Sequence, residues 1–174
     1  MMQNLLGKSG TELWRKVNGI DETPVVPFHE QKSISTENTF QQDTIDINFL
    51  NSELVRMTGK IAFDLRQQAK VTGCITVKLR YSNFETFTKQ LTIPYTNPDH
   101  ILLKTTEELL SKLYERRMLI RLIGIRFTNL IPGNYQISLF EDTQESISLY
   151  QAIDSVKKRF GKGLLIRAAR ASQP

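Results

Sequence analysis

The chain has 174 residues, 40% of them hydrophobic, and a net charge of +5, which gives room for one well-buried core and an appendage rather than two full domains. Its single cysteine, Cys74, excludes an internal disulfide framework and a CxxC metal site and suits a reducing cytosol. No apolar run approaches the roughly 20 residues that cross a bilayer, and MMQNLLGKSG has no signal-peptide core, so the expectation is a soluble, cytoplasmic protein without a membrane partner.

Thr11 to Val17 carries a short amphipathic helical pattern in Leu13, Trp14 and Val17, closed by Gly19-Ile20-Asp21. Thr23 to His29 holds two prolines and no helical period, and reads as an extended linker. A lone helix bearing an exposed tryptophan on such a linker looks like the end of a preceding unit. The chain therefore reads as a fragment, or as the tail part of a larger protein.

Gln31 to Phe40 alternates Ile34 and Phe40 against Ser33, Ser35, Glu37 and Thr39, a strand with a hydroxyl-rich outer face. After a polar stretch from Asp43 to Asn48, the residues Leu50, Leu54, Met57, Ile61 and Leu65 recur at helical spacing to about Ala69. Val71 to Tyr95 then reads as a hairpin around Ser82-Asn83. Its first arm sets Ile75, Val77, Leu79 and Tyr81 against Thr76, Lys78, Arg80 and Ser82. Its second arm sets Phe87, Leu91 and Ile93 against Thr86, Thr88, Gln90 and Thr92.

Thr96-Asn97-Pro98-Asp99 is a turn and helix start, and Leu102, Leu103, Leu109, Leu110 and Leu113 mark a second helix that ends in Glu115-Arg116-Arg117. Met118 to Leu130 is the last strong strand, with Ile123, Ile125 and Phe127 at one parity and Gly124, Arg126 and Thr128 at the other. The order strand, helix, strand, strand, helix, strand predicts an α+β fold: a four-stranded split βαβ sheet (βαββαβ) with two helices on one face. Ile131-Pro132-Gly133-Asn134 ends the sheet. The tail beyond it contains a helix from about Ile147 to Phe160, with Leu149, Ile153, Val156 and Phe160 at three-four spacing.

The sheet face left bare carries Ser33, Ser35, Thr76, Lys78, Arg80, Thr86, Thr88 and Arg126, and the hairpin places no carboxylate in phase from Thr76 to Thr92. Hydroxyls and cations without carboxylates suit phosphate oxygens. His29 and His100 have no partner at metal-ligand spacing and read as surface residues. Asp43 and Asp46 read as helix-start residues rather than a metal pair. No histidine stands near a serine or threonine in a way that supports nucleophilic catalysis.

Several blocks in order resemble the C-terminal part of Y-family translesion DNA polymerases, in particular the bacterial DNA polymerase IV group. They are GKSGTELWRKVNGID at Gly7 to Asp21, KSISTENTF at Lys32 to Phe40, LRYSNFETFTKQ at Leu79 to Gln90, RLIGIRFTNL at Arg121 to Leu130, QISLF at Gln136 to Phe140 and AIDSVKKRFG at Ala152 to Gly161. The resemblance implies the end of a thumb domain at 1–18, a linker at 19–31, a DNA-binding little finger at 32–131, and a tail at 132–174. It adds Arg121, which matches a family position near the template strand, to the set facing duplex primer-template DNA. It also marks Gln136, Ile137, Ser138, Leu139 and Phe140 as a segment that holds the β sliding clamp.

The palm carboxylates that hold magnesium in the full polymerase have no counterpart here. The expectation is accordingly a chain with no catalysis, cofactor or small-molecule substrate of its own, serving translesion synthesis and DNA repair. Two other readings compete. A free-standing split βαβ RNA-binding module would carry exposed aromatics on its central strands, and an oligomerising domain would carry an apolar open face. Neither matches the threonine, lysine, arginine and serine found at those positions.

Overall fold

The computed structural model describes residues 2–27, 30–133, 143–165 and 167–168. They form two compact units, Met1–Glu30 and Gln31–Pro174.

The first unit is built on α1 (Met2–Val17), which bends at Gly7, where the backbone turns to φ 56°. Only the half beyond this bend carries the regular apolar spacing, so periodicity locates the helix from Thr11 while the helix itself begins earlier. It ends in the manner expected of a glycine stop. Gly19 takes φ 74°, its amide bonds the Lys16 carbonyl at 3.0 Å, and the Ile20 amide bonds the Arg15 carbonyl at 2.9 Å.

In the second unit the order is β1 (Ser33–Thr44), α2 (Ile47–Gln67), β2 (Lys70–Tyr81), β3 (Thr86–Thr96), α3 (Asp99–Leu113), β4 (Ile120–Pro132) and α4 (Thr143–Phe160). The strands lie in the order β1-β4-β2-β3 and every neighbouring pair is antiparallel. This is the α+β, βαββαβ arrangement anticipated from the alternation of periods. Helix α2 presents Leu50, Leu54, Met57, Ile61 and Leu65, each no more than 1% exposed, to Ile34, Ile75, Val77, Leu79, Ile123, Ile125 and Phe127 of the sheet. Helix α3 completes the same layer with Leu102, Leu109 and Leu110.

The start of α2 shows why a polar stretch was needed there. The Asp46 carboxylate accepts from the amides of Asn48 and Phe49 at 2.8 and 3.2 Å, satisfying donors that have no partner inside the helix. At the other end of the layer, Lys89 of β3 donates to the Lys112 carbonyl in the last turn of α3 at 3.2 Å, where a helix favours a cation.

Helix α4 sits against this helical layer in an orientation that its apolar spacing does not suggest. Leu149 and Phe160 are 57% and 59% exposed, whereas Tyr150 and Asp154 are buried. The cause is Arg66 of α2, whose side chain is only 3% exposed. Its Nε and Nη2 donate to the two oxygens of Asp154 at 2.7 and 2.8 Å, and its Nη1 donates to Asp99 and to the Asn97 carbonyl. Tyr150 lies under the guanidinium at 5.0 Å, and its hydroxyl meets His100 Nδ1 at 2.8 Å. Burial opposes the Arg66 charge, but the bonds and opposite charges of Asp154 and Asp99 outweigh it and raise the guanidinium above its already high ordinary value. His100 is thus tied to Tyr150 rather than standing alone, while His29 lies outside the described residues.

Candidate nucleic-acid interface

The face of the sheet away from α2 and α3 is ordered by the antiparallel registers into four cross-strand rows. Reading across β1, β4, β2 and β3, they are Ser33-Thr128-Cys74-Thr92, Ser35-Arg126-Thr76-Gln90, Glu37-Gly124-Lys78-Thr88 and Thr39-Leu122-Arg80-Thr86. Eight of the nine residues singled out from the sequence therefore share this face: Ser33, Ser35, Thr76, Lys78, Arg80, Thr86, Thr88 and Arg126. Six of them, all but Arg80 and Thr86, line one shallow depression of about 490 Å³ together with Glu37, Gly124 and Ile125. Cys74 holds the polar parity but is only 6% exposed between its neighbours.

The cations of this face are positioned by short-range bonds. Arg80 Nε donates to the Thr86 hydroxyl at 2.8 Å in the neighbouring strand. Arg126 Nη2 reaches the Ser33 hydroxyl at 3.3 Å. Lys78 Nζ donates to both oxygens of Glu37, at 2.9 and 3.1 Å. The in-phase positions of the hairpin bring no carboxylate to this face, but the sheet does, because Glu37 of β1 stands two strands away from Lys78 and reaches across Gly124. A Cβ at position 124 would lie 2.9 Å from Glu37 Cγ, so only glycine leaves that path clear.

Arg121, the ninth residue, stands apart. The β2-β4 pairing shifts register between Arg80 and Tyr81, opposite Leu122 and Ile120, and Arg121 is the extra residue. It falls out of the alternation and points to the end of the sheet, 3.6 Å from Asp43 and stacked on the Phe84 ring at 4.6 Å. Of the two aspartates read as helix-start residues, Asp46 caps α2 and Asp43 is the partner of Arg121. The segment from Gln136 to Phe140 lies outside the described residues.

Sequence periodicity did not single out Glu37 as a partner of Lys78. Its parity was visible, but the pairing depends on β4 lying between β1 and β2, which no local pattern encodes. Among the described residues, no group of three or more histidine, cysteine, aspartate or glutamate side chains is placed to hold a metal ion. Nor is any described helix long and apolar enough to cross a membrane.

A four-stranded antiparallel sheet sealed on one side by helices, with a bare side of hydroxyls and cations, defines a split βαβ module. Residues 31–139 match the model of the impB/mucB/samB family C-terminal domain. The chain is similar to the DNA polymerase IV of Clostridium kluyveri, at 31% identity over 92% of this chain and 43% of the relative. It is also similar to that of Listeria monocytogenes, at 36% identity over 75% and 37%, and to that of Streptococcus agalactiae, at 31% over 73% and 35%. The chain thus belongs to the impB/mucB/samB family, corresponding to the C-terminal region of a bacterial Y-family polymerase of the DNA polymerase IV group. It spans less than half the length of these curated relatives.

Proposed function

We propose that the open sheet face grips the sugar-phosphate backbone of duplex primer-template DNA, as the little finger of a cytoplasmic polymerase that acts in translesion synthesis and DNA repair. The observation that carries this reading is the convergence of Lys78, Arg126 and four hydroxyl side chains on one shallow depression, with Arg80 and Thr86 in the adjoining row. Hydroxyls and guanidinium groups serve phosphate oxygens, and contacts of this kind fix position without reading sequence.

Dimensions favour backbone contact as well. Four strands spaced about 4.8 Å apart span roughly 14 Å, more than the ~12 Å opening of a major groove that admits a helix or a two-stranded ribbon. Such a sheet rests on the groove rims, where the phosphates are, and its short serine and threonine side chains do not reach base edges. The four rows contain no aromatic side chain on which unpaired RNA bases would stack.

Lys78, Arg80 and Arg126, joined at the end of the sheet by Arg121, would neutralise ~3 to 5 phosphates, giving a log-log salt slope of about −3 to −4. Fluorescence anisotropy of the full chain on primer-template duplex, titrated with salt, measures it. A flat titration rejects the reading.

The segment Gln136 to Phe140 is proposed to bind the β sliding clamp. Burying Leu139 and Phe140 supplies ~3 to 5 kcal/mol, and tethering then raises the local concentration of the polymerase at the primer end. Retention on immobilised clamp should fall for a double substitution, Leu139→Ala with Phe140→Ala. Equal retention removes this part of the proposal. No catalytic role falls to these residues; magnesium in the full polymerase is assigned to palm carboxylates, as the family resemblance implies.

A further inference from the structure

The Glu37-Lys78 pair sits in the middle of the proposed phosphate surface. Lys78 lies on a central strand, and Glu37 fills the row that Lys78 shares with Gly124 and Thr88. Both carboxylate oxygens take a bond from the ammonium, the same two-oxygen arrangement that a phosphate diester would offer it. The Lys78 and Glu37 side chains are 28% and 45% exposed, respectively, so the pair reaches solvent on the open side of the sheet. Exposed pairs of this kind contribute little to stability, and exchanging one anion for another there costs little.

We propose that Glu37 is an internal occupant of the phosphate seat at Lys78. The carboxylate must be displaced whenever DNA backbone contacts that lysine, and it thereby limits the affinity of the face for DNA. Gly124 is part of the device, since a Cβ at that position would stand 2.9 Å from Glu37 Cγ and force that side chain to shift. The inference rests on the DNA-binding reading and adds to it a residue whose charge opposes binding, although it lies within the binding surface.

Two alternatives give opposite signs. If Glu37 orients Lys78 for phosphate, removing its charge weakens binding; if it occupies the seat, removing its charge tightens binding. Glu37→Gln keeps the size and lifts one negative charge from the face. At about 50 mM salt it should bind duplex DNA about three- to tenfold more tightly than wild type, with a slope steeper by about 0.9, so that roughly threefold of the gain is lost by 200 mM.

The experiment compares wild type, Glu37→Gln, Lys78→Gln, Arg126→Gln and the double variant Glu37→Gln with Lys78→Gln, by anisotropy on one duplex, with thermal melts confirming that each is folded. The expected result is tighter binding by Glu37→Gln, with the gain falling below about twofold when Lys78 is absent. Unchanged or weaker binding by Glu37→Gln overturns the proposal. So does a full gain in the Lys78→Gln background, which would mean that Glu37 acts on approaching DNA without occupying the lysine. If Lys78→Gln and Arg126→Gln themselves leave binding unaltered, it is the DNA-binding reading of the face that fails.

Discussion

Replacing Arg66 with methionine keeps most of the side-chain length and removes the charge that two carboxylates share. Asp99 and Asp154 have side chains only 6% and 11% exposed, and removing one partner from such a buried group costs about 3 to 5 kcal/mol because the remaining charges lose their compensation. The protein has a cheaper way out than carrying that penalty. Asp154 rides on α4, which is also held by the burial of Tyr150, by the bonds of its hydroxyl to His100, by the stacking of Lys157 on Phe63 and, just past the helix end, by the exposed pair Lys162-Asp64. Burying the Tyr150 ring is worth about 2 to 3 kcal/mol, and an exposed ion pair at most about 1. With about 0.5 to 1.5 kcal/mol for the Tyr150 hydroxyl bonds, these contributions only match the penalty, so α4 should open from the helical layer far more readily while the sheet and α2 stay folded. Amide hydrogen exchange resolves this directly: peptides from α4 should lose about 100-fold of protection, since each factor of ten is about 1.4 kcal/mol and a detached 18-residue helix is marginal in water. Protection across α2 should change far less. The reasoning is refuted if Arg66→Met leaves α4 protection intact and shifts the urea-derived stability by less than about 1 kcal/mol.

Three further substitutions test local features of the same unit. Asp46→Ala removes the acceptor for the first free amides of α2 and should cost about 1 kcal/mol in urea unfolding; no change would mean that the cap is dispensable. Gly73→Ala places a Cβ 2.7 Å from Cε1 of Tyr95. That ring is 41% exposed on an edge strand and can swing outward, so the cost should stay near the low end of the 1 to 3 kcal/mol expected of overpacking, read as a lowered melting temperature. Phe84 holds φ 67° at the tip of the β2-β3 hairpin and is 65% exposed. Phe84→Gly should relieve about 1 to 2 kcal/mol of left-handed strain against about 0.5 to 1 kcal/mol lost with the Arg121 stacking. The melting temperature should rise slightly, and a clear fall would show that the ring carries more than this exposed contact.

What the sequence disclosed and what it withheld divide along a physical line. Periods of two and 3.6 are local, so the core faces of β2, β4 and α2 could be read residue by residue, down to Leu50, Leu54 and Leu65, which have no exposure at all. The cap at Asp46 was legible for the same reason: donor and acceptor lie within three residues. Features that depend on which elements become neighbours were not legible. Arg121 has the parity of Ile123, so alternation alone sets it off the open face, but the register shift against β2 that keeps it out of the core is not local, and the Arg66-Asp154 pair joins residues 88 positions apart. In α4 the local pattern located the helix but described its buried side only in part: Ile153 and Val156 are half-buried, whereas Leu149 and Phe160 are exposed and Tyr150 and Asp154 turn inward to Arg66. An uncompensated arginine inside the helical layer costs more than two leucine-sized side chains gain by covering themselves.

The same comparison of energies separates the two faces of the sheet. On the helical side, the cluster of Arg66, Asp99 and Asp154 is buried and bonded, so disturbing it disturbs the fold. On the open side, Lys78, Arg80 and Arg126 are held by single hydroxyls or by an exposed carboxylate, and exchanging those partners for phosphate oxygens leaves the core untouched. A surface whose own bonds are weak and replaceable can take up and release a polyanion repeatedly without paying in stability. That property suits the proposed role of holding DNA while letting it advance, and in the proposal for Glu37 the carboxylate extends it by engaging Lys78 until backbone phosphate takes its place.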